Sequence, residues 1–452
     1  MIERIPQYIH NILKKFEKNN FRIFLVGGCV RNLLLKRAIA DWDLATNATP
    51  QEMLQIFPDG FYENQFGTVG IPIEADNQKS IVEITTFRTE GEYKNNRHPG
   101  KIVWGKTIEE DLQRRDFTIN AIALEIKNNK EIIIDVFNGQ RDILEKIIRS
   151  VGKPEQRFNE DALRLLRGIR LATELSFKIE ENTWKAIIEN ESLIKNISDE
   201  RIRNELLRIL ESEHAYEGIS LLNESELLKN ILPELLEGVN VSQTRPGRHH
   251  QSDVFTHNML SLKFCPSNDP LVKFAALLHD VGKPRVKSSD ENGLVIFYNH
   301  EVVGAKIVRD ICDRLHFSKK HKEKISNLIR WHMFTVDENI TDAAIRRFIR
   351  RVGIENVKDM MDLRVGDRLG GGTQTAESWR LKLFKDRVEK QLQPLPFNIN
   401  DLVIDGNDIM RELNIKPGKI IGELLQKLFE EVDENLTLNN KAYLEKRIKE
   451  LI

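Results

Sequence analysis

The sequence predicts an α/β head with a small mixed sheet, followed by a mostly α-helical neck, body and tail. Short β-branched or aromatic runs lie early in the chain: Phe24-Leu25-Val26, Gly67-Thr68-Val69-Gly70-Ile71, Ile81 to Phe87 and Ile132 to Phe137. Glycines and polar turns set them off, as strands require. From about Phe158 onward, apolar residues recur at helical spacing, as in Leu163, Leu166, Ile169 and Leu171. At 452 residues the chain exceeds one ordinary core, and roughly two to four domains are expected from size alone.

Clusters of glycine, proline and polar residues supply the boundaries: Val151-Gly152-Lys153-Pro154, Thr244 to Arg248, Gly370 to Thr373, and Pro394-Leu395-Pro396. They divide the chain into a head (1–150), a neck (151–243), a body (244–372) and a tail (373–452). No fixed-period repeat or low-complexity tract interrupts this order.

Composition excludes several classes. The content is 40% apolar and 30% charged, as in a soluble globular protein. A net charge of −1 means that any RNA binding rests on local basic surface. Cys29, Cys265 and Cys312 have no metal-finger spacing and form no disulfide framework, which fits a reducing cytoplasm. The start, Met1 to Pro6, is charged where a signal peptide is apolar, and no run approaches the ~18 residues of a membrane span. No membrane association and no protein partner are expected. The clusters Lys319 to Lys322 and Arg346 to Arg351 read on charge alone as solvated helix faces.

Phosphoryl-transfer chemistry is suggested by two neighbouring features. The run Phe24 to Asn32 reads as strand, glycine pair and helix; Gly27 and Gly28 let backbone N–H groups approach a triphosphate, and Arg31 adds charge. Asp41-Trp42-Asp43 follows, and in a strand its carboxylates share one face, within reach of divalent cations. Hard cations so held activate a 3′-hydroxyl and neutralise a leaving pyrophosphate. A D-x-D pattern by itself is as readily a surface turn; the upstream glycine pair favours the catalytic reading. Glu83 is a candidate third carboxylate, or a solvent-facing residue of its strand.

The pattern Gly27-Gly28, Val30-Arg31, Asp41-x-Asp43 resembles the polymerase-beta-like nucleotidyltransferase head of bacterial-type (class II) tRNA CCA-adding enzymes and their poly(A) polymerase relatives. Arg114-Arg115-Asp116-Phe117-Thr118-Ile119-Asn120-Ala121 is similar to that family's R-R-D-F-T-x-N-A segment, which implies contacts from Arg114, Arg115, Asp116 and Asn120 to the incoming nucleotide. Asp135 to Asp142 resembles the D-x-F-G-G-x-x-D hinge, with Asn138 in place of a glycine; Asn32 likewise replaces the usual Asp. The stretch Thr89 to Gly100 resembles the loop needed for adding a terminal A.

Glu160-Asp161-Ala162-Leu163-Arg164 resembles the family's base-reading E-D-x-x-R motif, and its chemistry is independently sensible. On one helix the three polar residues share a face, and a carboxylate can orient the guanidinium. Cytosine and adenine each present an amine donor beside a ring-nitrogen acceptor, so Asp161 with Arg164 pairs with both and leaves unpaired groups against uracil and guanine. A helix-surface salt bridge is the competing reading. Arg167 and Arg170 extend the nucleotide-binding set. Ser198 to Leu206 resembles the next helix motif, with Glu200 and Arg201 assigned to buttressing the neck.

His257, His279-Asp280, His300, His332 and Asp367 fall in the order H, HD, H, H, D of the HD-superfamily phosphohydrolases, which they resemble. Imidazole and carboxylate ligands together suit Mn²⁺, Fe²⁺, Ni²⁺, Co²⁺ or Zn²⁺ better than Mg²⁺. The resemblance implies hydrolysis of phosphomonoesters and 2′,3′-cyclic phosphates, or an inactive relic. His249 and His250 read as loop residues. Leu402 to Met410 and Lys416 to Leu425 resemble the family's tail, where a Pro-Gly turn at a helix start would meet a tRNA phosphate.

The resemblance implies addition of CCA to tRNA from CTP and ATP, with Mg²⁺ held by Asp41 and Asp43. An A-only enzyme or poly(A) polymerase shares every head motif. An HD phosphohydrolase with an RNA-binding head is the alternative from another class.

Overall fold

The computed structural model describes residues 1–64, 67–75, 78–89, 93–94, 98–99, 104–128, 130–243, 252–392 and 398–451. It forms two compact units: Met1–Pro233 with Arg314–His316, and Glu234–Asp313 with Phe317–Ile452. The boundary after Pro233 precedes the expected one at 243, and the neck shares a unit with the head. His249 and His250, the Pro394–Pro396 boundary and most of the expected Thr89–Gly100 loop lie outside the described residues.

The head is a seven-stranded mixed sheet of β1 (Ile23–Val26), β2 (Leu44–Thr46), β3 (Phe61–Asn64), β4 (Thr68–Ala75), β5 (Gln78–Thr86), β6 (Ala123–Lys127) and β7 (Lys130–Ile134), in spatial order β3-β4-β5-β2-β1-β6-β7. Every residue of β1 is buried. Leu25 joins a core with Ile9 and Phe16 of the first helix, whereas Phe24 and Val26 join Phe87, Ile108 and Leu112 on the other face. A strand covered on both faces reads as a continuous apolar run, which is why it was visible in the sequence. β1 pairs antiparallel with β2 and β6, and β2 runs parallel to β5 with Leu44 opposite Ile84.

The helix Ile108–Gln113 starts on a capping box, Thr107 with Glu110. Its last turn carries Asp111, which is fully buried and accepts from two arginines just beyond the helix. Arg114 Nη2 lies 2.5 Å from Oδ1 and Arg115 Nη2 lies 2.9 Å from Oδ2. The hinge after β7 is organised by Asp135, which accepts from the backbone N–H of Gly139 at 2.7 Å and Gln140 at 2.9 Å. Asn138 has φ +57°, a left-handed conformation that asparagine tolerates where the family uses glycine. Gly139 is required by contact: a Cβ there would lie 2.2 Å from the Thr118 carbonyl oxygen.

In the neck, the helix Pro154–Glu160 stops at Asp161, whose backbone is extended (φ −142°, ψ 105°), and a new helix runs Leu163–Leu175. The expectation that Glu160, Asp161 and Arg164 share one continuous helix is therefore corrected.

In the second unit, the helix Val254–Phe264 packs on Val357–Gly370. Gly366 and Gly370 make this approach close, since a Cβ on either would meet Ser261 at 2.5 and 2.6 Å. His257, one turn before Ser261, consequently reaches Asp367. The tail has its own core around Ile409, Leu424, Leu428 and Leu444. Arg346 and Arg350 pair with the buried Asp433 at 2.7 and 2.5 Å, so half of this basic cluster is internal. Asp433 sits far along the chain, so sequence spacing gave no sign of the pairing.

Burial pushes the Asp111 carboxyl up, but Arg114 and Arg115 outweigh it and hold the pKa at about 2. A depressed pKa contributes stability above the unfolded value of about 3.9. The contribution is lost as pH falls toward about 2. Asp111→Asn is expected to lose roughly 2 kcal/mol at neutral pH. In urea titrations the gap from wild type should close between about pH 4 and pH 2.

Candidate active site and metal cluster

The head site is built around the end of β1. Gly27 has φ +72° and caps the helix Gly28–Leu34. A Cβ on Gly27 would lie 2.8 Å from Arg115 Nη1 and 3.7 Å from Asp43 Oδ2. Glycine thus serves both the turn and the close approach of a guanidinium to a carboxylate.

Asp41 and Asp43 precede β2 instead of lying within it. Asp43 keeps an extended partner nonetheless, its carbonyl accepting from Val26 N–H at 3.0 Å. One step before the Leu44–Ile84 pair, the parallel register sets Asp43 beside Glu83. Both line a cavity of about 330 Å³ that also presents Gly27, Gly28, Arg115 and Asn120. Although the Asp43 side chain opens onto solvent in this cavity, the surrounding protein displaces bulk water. This desolvation raises its pKa above the usual value, with the charge of Asp41 adding and Arg115 opposing. Asp41 is exposed and is not among the cavity walls.

Asp116 lines the same cavity and is held ionised. Burial raises its pKa, but Arg167 and Arg164 outweigh burial and carry it well below the carboxylate range. Arg167 Nε donates to it at 2.7 Å, and Asn120 Nδ2 at 3.4 Å. Arg31 Nη1 donates to Asn120 Oδ1 at 2.7 Å, and burial lowers its pKa to about 10. Arg31 is therefore a brace behind the wall, not part of it. Arg170 is also set apart. Its side chain is only 4% exposed, with Glu205 at 2.5 Å and Glu174 at 2.9 Å, and it ties two neck helices together.

At the break, Asp161 and Arg164 each have their own support. Arg164 Nη1 donates to Glu160 at 2.5 Å and to the Arg157 carbonyl at 3.0 Å, while Nη2 donates to the Arg114 carbonyl at 2.9 Å. Asp161 accepts from Leu163 N–H at 3.1 Å and from Arg201 Nη2 at 2.9 Å. Arg201, expected only to buttress, lines the cavity beside Asp161 and Arg164. Asp111 was missed altogether, although its spacing to Arg114 and Arg115 is that of neighbouring helix residues.

In the second unit, His257, His279, Asp280, His300, His332 and Asp367 converge. His257 Nε2 lies 3.1 Å from His279 Nε2, 3.2 Å from Asp280 and 3.3 Å from Asp367. His300 Nε2 lies 3.4 Å from His332 Nε2 and 3.3 Å from Asp280. Two groups of possible ligands result, His257 with His279 and Asp280, and Asp280 with His300 and His332. The Nδ1 atoms of His279, His300 and His332 face the carbonyls of Ala276, Phe297 and Ile329 at 2.9, 2.8 and 2.7 Å. A carbonyl only accepts, so each Nδ1 carries the hydrogen and the inward Nε2 offers a lone pair in the neutral ring. This tautomer and this outer support fit a divalent transition metal. Among the described residues no helix is long and apolar enough to cross a membrane.

Three family models match the chain. Residues 23–149 match the Poly A polymerase head domain, residues 176–238 the probable RNA and SrmB-binding site of polymerase A, and residues 255–369 the HD domain. The CCA-adding enzyme of Geobacillus sp. (strain WCH70) is 43% identical over 51% of this chain and 56% of its own length. The fold resembles that of the Bacillus stearothermophilus CCA-adding enzyme in complex with CTP, with a TM-score of 0.73 and 24% identity over 98% of this chain and 96% of the other. It also resembles that of the Thermotoga maritima CCA-adding enzyme complexed with tRNA-CCA, with a TM-score of 0.61 and 22% identity over 100% and 97%. The CCA-adding enzyme of Ligilactobacillus salivarius (strain UCC118) is 31% identical over 100% of this chain and 99% of its own length. At 31% identity along the whole of both chains, and with the three family models in order along it, the chain belongs to the family of CCA-adding enzymes.

Proposed function

We propose that the head adds CCA to the 3′ end of tRNA from CTP and ATP without a nucleic-acid template. The observation that carries this reading is the shared cavity: the carboxylates of Asp43 and Glu83 and the donor–acceptor pair Arg164 and Asp161 face one space. In each round, the 3′-oxygen of the RNA bonds to the α-phosphorus of the nucleotide. The bond from that phosphorus to pyrophosphate breaks, and the hydroxyl proton is released. Asp41 and Asp43 are the residues to hold Mg²⁺, since desolvation and then the charge of Asp41 raise the Asp43 pKa, and a cation relieves that crowding. Mg²⁺ supplies charge neutralisation during transfer. Gly28 presents its backbone N–H and Arg114 and Arg115 their positive charge to the triphosphate, while Gly27, whose own N–H donates to the Ile122 carbonyl, keeps that wall free of a side chain. Arg31 and Arg170 act indirectly, through Asn120 and through the neck helices.

Base choice is assigned to Asp161 and Arg164. Each is held by a charged partner, Arg201 and Glu160, so neither is free to rotate toward a mismatched base. Wrong bases leave buried polar groups unpaired, which is worth up to ~10⁴-fold discrimination.

The HD cluster carries a second reading, a phosphohydrolase for phosphomonoesters and 2′,3′-cyclic phosphates. Support comes from the inward Nε2 lone pairs. Of Mn²⁺, Fe²⁺, Ni²⁺, Co²⁺ and Zn²⁺, a nitrogen-rich set favours the later metals. The proposed division remains head 1–150, neck 151–243, HD body 244–372 and tail 373–452, with tRNA contacts in the tail.

Four measurements test these assignments. Purified protein given tRNAs ending before CCA, after C and after CC should incorporate both CMP and AMP and stop after A; AMP alone on the CC-ended tRNA would overturn the CCA reading. Asp43→Ala should reduce incorporation by about 10³-fold or more, the scale of losing transition-state charge stabilisation, while tRNA affinity by fluorescence anisotropy holds. Asp161→Asn should lower discrimination against UTP and GTP by roughly 10²-fold or more; an unchanged ratio of kcat/KM values would refute the base-reading role. For the HD cluster, Ni²⁺ or Mn²⁺ retained after dialysis and counted by mass spectrometry should fall in Asp280→Ala, together with phosphate release from a cyclic nucleotide.

A further inference from the structure

Beside the HD cluster lies a second cavity of about 350 Å³ that the reactions above leave unused. The metal-cluster cavity, of about 420 Å³, contains Asp280, His300, His332 and Asp367. Met333 lines both cavities and is 59% exposed. A second link is Arg364, which pairs with Asp367 at 2.9 Å while its guanidinium sits 5.5 Å from the Phe334 ring of the second cavity. The two spaces are therefore neighbours across one residue and one side chain.

The walls of the second cavity combine rings with arginines. The guanidinium groups of Arg330 and Arg351 lie 4.3 and 4.9 Å from the Trp331 ring, and Arg347 joins them from the helix Asp342–Val352. On that helix the arginines divide by face: Arg346 and Arg350 turn inward to Asp433, while Arg347 and Arg351 reach the cavity. Glu301 and Glu434 offset part of the charge on Arg330 and Arg347. Arg351, among the described residues, has the ring and no carboxylate partner. A ring orients a guanidinium without neutralising it, which leaves a positive, partly apolar surface.

We propose that this cavity receives the last nucleotides of a single-stranded RNA, so that the HD cluster acts on the phosphate or 2′,3′-cyclic phosphate of an RNA 3′ end. Arginine charge meets the backbone phosphates, and the half-buried rings of Trp331 and Phe334 with the guanidinium planes meet the bases, the combination that single strands need. In the reaction, water oxygen bonds to phosphorus, one phosphorus–ribose oxygen bond of the cyclic ester breaks, and that ribose oxygen takes up the proton. The inference rests on the phosphohydrolase reading above.

The test compares kcat/KM of the Ni²⁺- or Mn²⁺-loaded full chain for 2′,3′-cyclic AMP and for a five-nucleotide RNA ending in a 2′,3′-cyclic phosphate. The wild type should prefer the oligonucleotide by about 10-fold or more, and Arg347→Ala/Arg351→Ala should remove most of that preference, on the scale of one or two stacking or phosphate contacts. Equal rates on the two substrates in the wild type, or an undiminished preference in the double variant, would overturn the proposal. Hydrolysis of neither substrate would sink the phosphohydrolase reading alone. The RNA track is then judged by a photocrosslink from a 4-thiouridine next to the 3′-phosphate of the same oligonucleotide. Label in the peptide containing Trp331 to Phe334 supports it, and label confined to other peptides refutes it.

Discussion

One buried carboxylate organises the head. Asp111, without solvent contact, holds Arg114 and Arg115 in fixed positions. Arg115 then stands close enough to Gly27 that no side chain fits there, and it opposes the crowding of Asp43. The carbonyl of Arg114 receives Arg164 from the neck. The glycine turn, Asp43 and Arg164 are thus connected through one short helix end. Removing a partner from such a buried charge set costs more than the set contributes when intact, because an uncompensated charge remains.

The two centres solve opposite electrostatic problems. In the head pocket, carboxylates and guanidinium groups alternate, so the site is suited to hold a polyanion together with a cation. In the second unit, four imidazoles and two carboxylates turn their ligand atoms inward, with backbone carbonyls behind three of the rings. Burial and the neighbouring His279 and His300 depress His332 to about 3, whereas Asp280 and Asp367 overcome burial and carry His279 up to about 10. Imidazoles at such close quarters cannot all be protonated, and a bound divalent ion would displace the proton that His279 carries without it, leaving each inward Nε2 its lone pair.

Much of this was legible in the sequence because local spacing carried it. The apolar run of β1 declared a strand buried on both faces, and the HD pattern declared its ligands by residue type and order. Long-range contacts were not legible. Asp433 is far from Arg346 along the chain, so a basic cluster looked like a solvated face. Arg170 looked like its neighbours Arg164 and Arg167 until Glu205 and Glu174 were seen around it. The helix break at Asp161 was hidden because no glycine or proline marks it; the local signal is only an aspartate accepting from the N–H two residues ahead, a habit of aspartate in turns. Asp41 and Asp43 fell short of the strand because pairing begins at Leu44.

That break at Asp161 has a mechanical meaning. Here Arg164 is clamped to Glu160 and the Arg114 carbonyl, whereas Asp161 is tethered to Arg201 on a separate helix. Yet Asp161 also accepts at its carbonyl from Arg164 N–H at 3.0 Å, so both side chains spring from one stapled corner. The corner works as a rigid bracket: it presents a carboxylate and a guanidinium at one set spacing, each propped from outside by a different helix.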